Sequence, residues 1–249
     1  MAKRILTVIV GLPPLIAVIV LGGFWLRLAL VALSLIGLYE FYRALSGKVL
    51  PIHYSGYFFS VFYLLFDVGY LITFSAFILL SLSLAVIFYQ KIEVKDCLVT
   101  VCGFFYVTFL MSFIYLVRDN NIHFVWLIFT SASASDTFAY CVGRLCGRHK
   151  LTGTPSPGKS WEGCAGGVLG AALVGFIYGQ IADLGLIALA VSVAGAIFSQ
   201  FGDLFASAIK RSVGIKDFGK ILPGHGGILD RFDGIMVAAP IVYMVMILI

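Results

Sequence analysis

Ser207-Ala-Ile-Lys210-Arg211-Ser-Val-Gly214-Ile-Lys216-Asp217-Phe218-Gly219-Lys220-Ile-Leu222-Pro223-Gly224-His225-Gly226-Gly227-Ile228-Leu229-Asp230-Arg231-Phe232-Asp233 is set between two apolar runs, residues 184–209 and 232–249. The chain as a whole is 61% hydrophobic and 12% charged, yet this segment gathers five basic and three acidic side chains. Charge of that density beside membrane-length apolar segments is expensive unless it has a function. The segment therefore reads as a polar loop between two membrane helices, and the same reading extends to the rest of the chain. Its glycines and Pro223 describe a turning backbone able to approach a ligand and offer N–H groups. Its Lys and Arg suit phosphate oxygens, and its carboxylates are the hard oxygen ligands that Mg²⁺ prefers. Phosphate, metal and carboxylate together point to phosphoryl or nucleotidyl transfer.

Outward from this loop, the chain has 249 residues and a mean hydropathy of +1.06, with no polar half able to form a soluble domain. The expected fold is all-α: a polytopic membrane bundle in a single transmembrane domain, residues 1–249. Nine spans are expected, at 5–22, 24–45, 55–71, 72–90, 97–117, 122–143, 163–182, 184–209 and 232–249. Pro13-Pro14 predicts a kink in the first. The third and fourth share one apolar stretch holding Asp67 and Gly69, which reads equally as a hairpin or as one long tilted helix. Residues 1–120 supply N-terminal spans suited to lipid or dimer contact, and residues 121–249 form the catalytic half.

With a cytoplasmic N-terminus, all of the 17 Lys and Arg except Arg27 and Arg118 fall on the cytoplasmic side. That bias is what the positive-inside rule produces, and it puts a polar active-site cavity on the cytoplasmic face. It also accounts for the net charge of +5 without nucleic acid as a partner. The five cysteines form no CxxC pair and read as free thiols. Lys3 and Arg4 before the first apolar run imitate a secretory leader, but the run reads as a retained helix.

Asp203 and Asp230 are the strongest candidates for a metal pair. An Asp flanked by Phe201 and Leu204 needs a cation, which a metal or a structural ion pair such as one with Lys210 would supply equally well. Asp136, close to Ser133 and Ser135, has the same two readings. Asp233 shares a helical face with Asp230, or serves as an acid at a helix N-terminus. His225, between glycines, could donate to phosphate, ligate a metal or be solvated. Gly153-Thr-Pro-Ser-Pro-Gly-Lys159-Ser160 satisfies the P-loop pattern formally, but Pro155 and Pro157 have no N–H to offer a phosphate. Lys159 and Ser160 could still hold phosphate at a helix start, or Ser160 could be an ordinary N-cap followed by Glu162.

The run Ser207-x2-Lys210-Arg211-x4-Lys216-Asp217-x-Gly219-x2-Leu222-Pro223-x-His225-Gly226-Gly227-Ile228-x-Asp230-Arg231-Phe232-Asp233 resembles the signature of phosphatidate cytidylyltransferases, also called CDP-diacylglycerol synthases. The resemblance extends to Ser135-Asp136-x-Phe138-Ala139-Tyr140, Ser156-Pro157-x-Lys159-Ser160-x-Glu162-Gly163 and Gly202-Asp203, covering residues 131–240. Phe218 stands at an undefined position of the pattern where a small polar residue is expected. The resemblance implies conversion of CTP and phosphatidate to CDP-diacylglycerol and pyrophosphate in a bacterial inner membrane. It further implies Mg²⁺ dependence, nine transmembrane helices, a homodimer, metal binding by Asp203 and Asp230, and K⁺ as a second cation. On this reading Lys210, Arg211, Lys216 and Arg231 hold the triphosphate and lipid phosphate, and Lys159 and Ser160 close the cavity. Asp136, Asp217, Asp233 and His225 are further substrate-binding candidates. Two rivals keep the same charges: cytidylyl transfer to an archaeal ether-lipid phosphate, and transport of a phosphorylated or anionic solute, which would place polar residues on both faces.

Overall fold

Apolar runs of this length become helices because a helix satisfies every interior backbone group within its own segment. In the computed structural model the described residues are 2–66, 69–151, 155–222, 224 and 226–248, with backbone alone for 2–10 and 70. They form helices α1 (Ala2–Leu21), α2 (Gly23–Ser46), α3 (His53–Leu65), α4 (Tyr70–Ile87), α5 (Val94–Gly103), α6 (Leu110–Asn120), α7 (Ile122–Cys146), α8 (Trp161–Ile181), α9 (Leu186–Ser212) and α10 (Leu229–Leu248). A π-helical stretch, Phe104–Phe109, joins α5 to α6, so Val94–Asn120 is one helical run. Every expected span coincides with a helix or with that run. The continuous stretch 55–90 resolves into two helices, α3 and α4, and Asp67 lies outside the described residues. Among the described residues five helical segments are long and apolar enough to cross a membrane: α2, α5 through α6, α8, α9 and α10. Among the described residues there is no β-strand, only isolated bridges.

The chain divides into two compact units. The first comprises residues 1–115 and 217–230, so the second half of the polar signature belongs with the N-terminal helices. Its interior is built around Leu38, Phe41 and Tyr42 of α2, with Phe77, Phe104 and Val107 from α4 and the π stretch. The Tyr42 hydroxyl donates to the Thr100 carbonyl at 3.1 Å, and its ring stacks on buried His53 with 4.3 Å between centroids. These contacts tie α2 to α3 and α5.

The second unit comprises residues 116–216 and 231–249. Here α8 lies against α7 along a face of small residues: Gly166 meets Val142, Gly167 meets Ser135, and Gly170 meets the Phe138 ring. A Cβ at any of these would overlap its neighbour, so glycine is what lets the helices approach. The Gly202 face of α9 meets the Asp233 carbonyl and Val237 of α10 in the same way. Close packing at Gly202 and Gly234 holds Asp203 of α9 and Asp233 of α10 at the same level.

Candidate active site

In the second unit, the described residues between α7 and α8 form a pinned loop. The Leu151 N–H donates to the Lys159 carbonyl at 2.9 Å, and the Trp161 N–H to the His149 carbonyl at 3.0 Å. Both Glu162 carboxylate oxygens accept the His149 N–H, at 3.1 and 3.2 Å, and one lies 2.6 Å from His149 Nδ1. Ser160 is the N-cap of α8: its Oγ accepts the Gly163 N–H at 3.1 Å, satisfying one of the free amides at the helix start. The loop thereby delivers Lys159 to α9, where its ammonium pairs with the Asp203 carboxylate. The cation that Asp203 was expected to need is thus supplied in part by Lys159, rather than by the Lys210 named as an example.

That pair belongs to a larger constellation. Asp136 of α7 is within electrostatic reach of Asp203, Lys159 and Arg231, and Asp233 of α10 is within reach of Asp203, Lys210 and Asp136. Three carboxylates and three cations are therefore gathered from four elements. Lys210 and Asp233 are each only 9% exposed, a depth at which an unpaired charge is costly. Beside them a cavity of about 330 Å³ is lined by Asp136, Tyr140, Arg144, Lys150, Lys159 and Gln200, among others. Arg144 Nη1 donates to the Tyr140 hydroxyl at 3.1 Å. With Arg144, Lys150 and Lys159 on its wall, the cavity suits an anion. Arg211 and Lys216 are exposed, and Arg211 donates to the Ile215 carbonyl at 3.4 Å.

Gln200, three residues before Asp203, has a role that residue type alone does not suggest. Its Nε2 donates to Ser135 Oγ at 2.9 Å and to the Cys164 carbonyl at 3.0 Å. One amide thus links α7, α8 and α9 at the cavity floor.

In the first unit the signature turns sharply: the Leu222 N–H donates to the Gly226 carbonyl at 2.9 Å, and Gly224 and Gly226 have φ of 79° and 85°. Only glycine adopts such a backbone without strain. His225 lies outside the described residues. Asp230, in the first turn of α10, accepts two backbone N–H groups on one oxygen, from Phe218 and Gly227, each at 2.9 Å. The unusual Phe218 is explained by this: the backbone amide makes the contact, while the side chain is buried. Asp217 is exposed.

Glu40 was missed. It is buried in α2 at 2% exposure, and its two oxygens accept the N–H groups of Ile228 and Leu229 at 3.1 and 3.0 Å. The available signal was the one acid of a largely apolar span, costly unless satisfied.

As for the metal, a closed protein cage is absent among the described residues: no three His, Cys, Asp or Glu side chains are grouped to ligate an ion. Mg²⁺ in a phosphoryl-transfer site typically takes one or two carboxylates and completes its shell with water and substrate phosphate. Asp203 and Asp230 both offer oxygen donors of this kind.

Residues 2–249 match the model of the cytidylyltransferase family. Proteins named phosphatidate cytidylyltransferase from Staphylococcus haemolyticus and Staphylococcus epidermidis are 32% and 34% identical, each alignment covering 99% of both chains. The protein of that name from Thermotoga maritima is 42% identical over 56% of this chain and 55% of its own.

Proposed function

Because the chain belongs to the cytidylyltransferase family, we propose that it converts CTP and phosphatidate to CDP-diacylglycerol and pyrophosphate, as a step of phospholipid biosynthesis. The observation that carries this reading is the full-length match combined with a charged cavity whose cations suit phosphate.

A phosphatidate phosphate oxygen forms the new bond to the α-phosphorus of CTP, and the bond to the bridging α–β oxygen breaks. Pyrophosphate leaves with that electron pair. The nucleophile is already an anion, so no general base is needed, and catalysis rests on positioning and charge neutralisation. Lys159, Lys210 and Arg231 bind phosphate oxygens, with Arg211 and Lys216 beside them. An anion entering the cavity competes with Asp203 for Lys159, so the ligand-free pair keeps this ammonium near where phosphate arrives. Asp233 lies within electrostatic reach of the buried Lys210. Ser160 donates its hydroxyl proton while keeping its cap, and Asp136 orients the cations across the cavity. Asp217 and His225 are assigned to substrate from the signature alone.

Mg²⁺ would neutralise charge on the triphosphate. Asp203 and Asp230 are the proposed ligands, with K⁺ as a second cation. The protein is further proposed to be a homodimer in a bacterial inner membrane, with nine spans and its active face toward the cytoplasm, in keeping with the Lys and Arg bias.

The test is CTP- and Mg²⁺-dependent formation of CDP-diacylglycerol from phosphatidate by the purified full chain in detergent. Turnover of an ether-linked lipid phosphate in place of phosphatidate would overturn the lipid assignment. Folded protein that turns over neither would overturn the reaction.

A further inference from the structure

The N-terminal helices hold one carboxylate whose placement is unexplained by helix packing alone. Glu40 stands on α2 at a sequence distance of 188 from Ile228, yet each of its oxygens takes one successive backbone N–H at the start of α10. These amides, at Ile228 and Leu229, belong to the group at a helix start that has no intrahelical partner. A negative charge there also favours the positive end of the helix. Two signature glycines close around the same carboxyl. The three nearest heavy atoms to a Cβ built on Gly227 all belong to Glu40, and the same is true of Gly219. A side chain at either position would overlap the carboxyl, so both glycines are needed for it to enter.

We propose that Glu40 is a positioning residue of the active site: it fixes where α10 begins and so aims Asp230. The adjacent geometry shows how. Asp230 is one residue beyond Leu229, and its own carboxylate takes the Gly227 N–H immediately before the amides that Glu40 takes. Three consecutive amides, 227 to 229, are therefore held by two carboxylates, one from the signature and one from α2. If Glu40 releases its pair, the first turn of α10 frays and Asp230 loses its fixed direction. Glu40 touches no reacting atom and acts only through the backbone. The inference rests on the reading that Asp230 serves the cytidylyl transfer.

The experiment compares the full chain with Glu40→Gln, Glu40→Asp, Gly227→Ala and the double variant Glu40→Ala/Gly227→Ala, in detergent. Two readouts are taken: kcat and KM for CTP, and amide hydrogen exchange over residues 222–232. Gln can accept only one of the two amides, so Glu40→Gln is expected to lower kcat by roughly a hundredfold, the order expected for a small misplacement of a reacting group. KM for CTP should move far less, and exchange at 227–229 should quicken. Glu40→Asp keeps both acceptors on a shorter stem and should recover part of the rate. Gly227→Ala should mimic Glu40→Gln in the wild type, yet add nothing once Glu40 is Ala. Folded Glu40→Gln with wild-type kcat and unchanged exchange would overturn the proposal. Should Glu40→Gln fail to fold, folded and fully active Gly227→Ala would overturn it instead. If the wild type turns over no substrate, the functional reading fails, and the exchange data still decide whether the clamp exists.

Discussion

Asp203 of the second unit and the carboxylates Glu40 and Asp230 of the first are satisfied in opposite ways. In the second, Asp203 is met by the ammonium of Lys159, a long side chain on a loop, and both partners are partly exposed. In the first, Glu40 and Asp230 are met by backbone N–H groups. A side-chain ion pair in reach of solvent is worth little and is readily exchanged for another partner. A carboxylate held by two backbone amides leaves both without their partner if it moves. The difference is one of fixity: the Lys159–Asp203 pair can be exchanged, whereas the carboxylates at the signature are held by the backbone itself.

The largest effects should come from removing charge while keeping shape. Asp203→Asn and Asp230→Asn are each expected to lower the rate of CDP-diacylglycerol formation on the order of 10³-fold, the several kcal/mol that charge stabilisation by a bound metal supplies. Asp230→Asn and Asp230→Ala should differ in structure. Asn at 230 can keep both amides on its carbonyl oxygen, so hydrogen exchange at Phe218 and Gly227 should stay slow; Asp230→Ala should lose the rate and the slow exchange together. Retention of wild-type rate by either Asn variant would remove that residue from the chemistry.

Next in size is Lys159→Met, which leaves Asp203 without its ammonium and the cavity with one cation fewer. A hydrogen bond to a charged group is worth about 1.5–3 kcal/mol, so kcat/KM should fall roughly 10- to 100-fold. Lys159→Arg should recover part of it. If instead the loss appeared only as a lower melting temperature, the pair would be structural and the exchangeable reading wrong.

How much of this was legible depended on the range of the interactions. Helix positions follow from local hydropathy, which is why spans as different as 24–45 and 163–182 coincide with α2 and α8. The stretch 55–90 was ambiguous because hydropathy does not change where α3 ends. The π-helical stretch 104–109 left no mark in periodicity; Gly103, just before it, faces the rings of Phe41 and Tyr42, a packing contact between distant helices. In the site, Asp136, Lys159, Asp203, Lys210, Arg231 and Asp233 stood out as charges near apolar runs, and the structure gathers them. Glu40 could be seen to need a partner, but nothing within its own helix says that the partners are amides far along the chain. Gln200, uncharged and mid-helix, gave no signal at all.

Gln200 supplies a smaller effect. Gln200→Leu keeps the volume but strips the Cys164 carbonyl and Ser135 hydroxyl of their donor. Leaving such groups unsatisfied costs about 1–3 kcal/mol, which should appear in thermal unfolding in detergent. The catalytic rate should fall less than in Lys159→Met, because no charge leaves the cavity. An unchanged melting temperature would mean that the three helices hold the cavity floor without this link.

The smallest effect separates two roles for one hydroxyl. Ser160 is 3% exposed and accepts the Gly163 N–H, which accounts for its oxygen lone pair but leaves the hydroxyl proton available for a phosphate. Ser160→Ala removes both functions: stability should fall by about 1 kcal/mol, the usual cost of a lost N-cap, and KM for CTP should rise severalfold. Asp is as good an N-cap as Ser, so Ser160→Asp should keep the stability. It also brings a negative charge to the wall that carries Lys159, and should therefore lose more activity than Ser160→Ala. The order of the two variants should thus reverse between the stability and activity measurements. A cap with no part in substrate binding would give the same order in both, and the hydroxyl would then belong with the fixed geometry of the loop rather than with the exchangeable charges beside it.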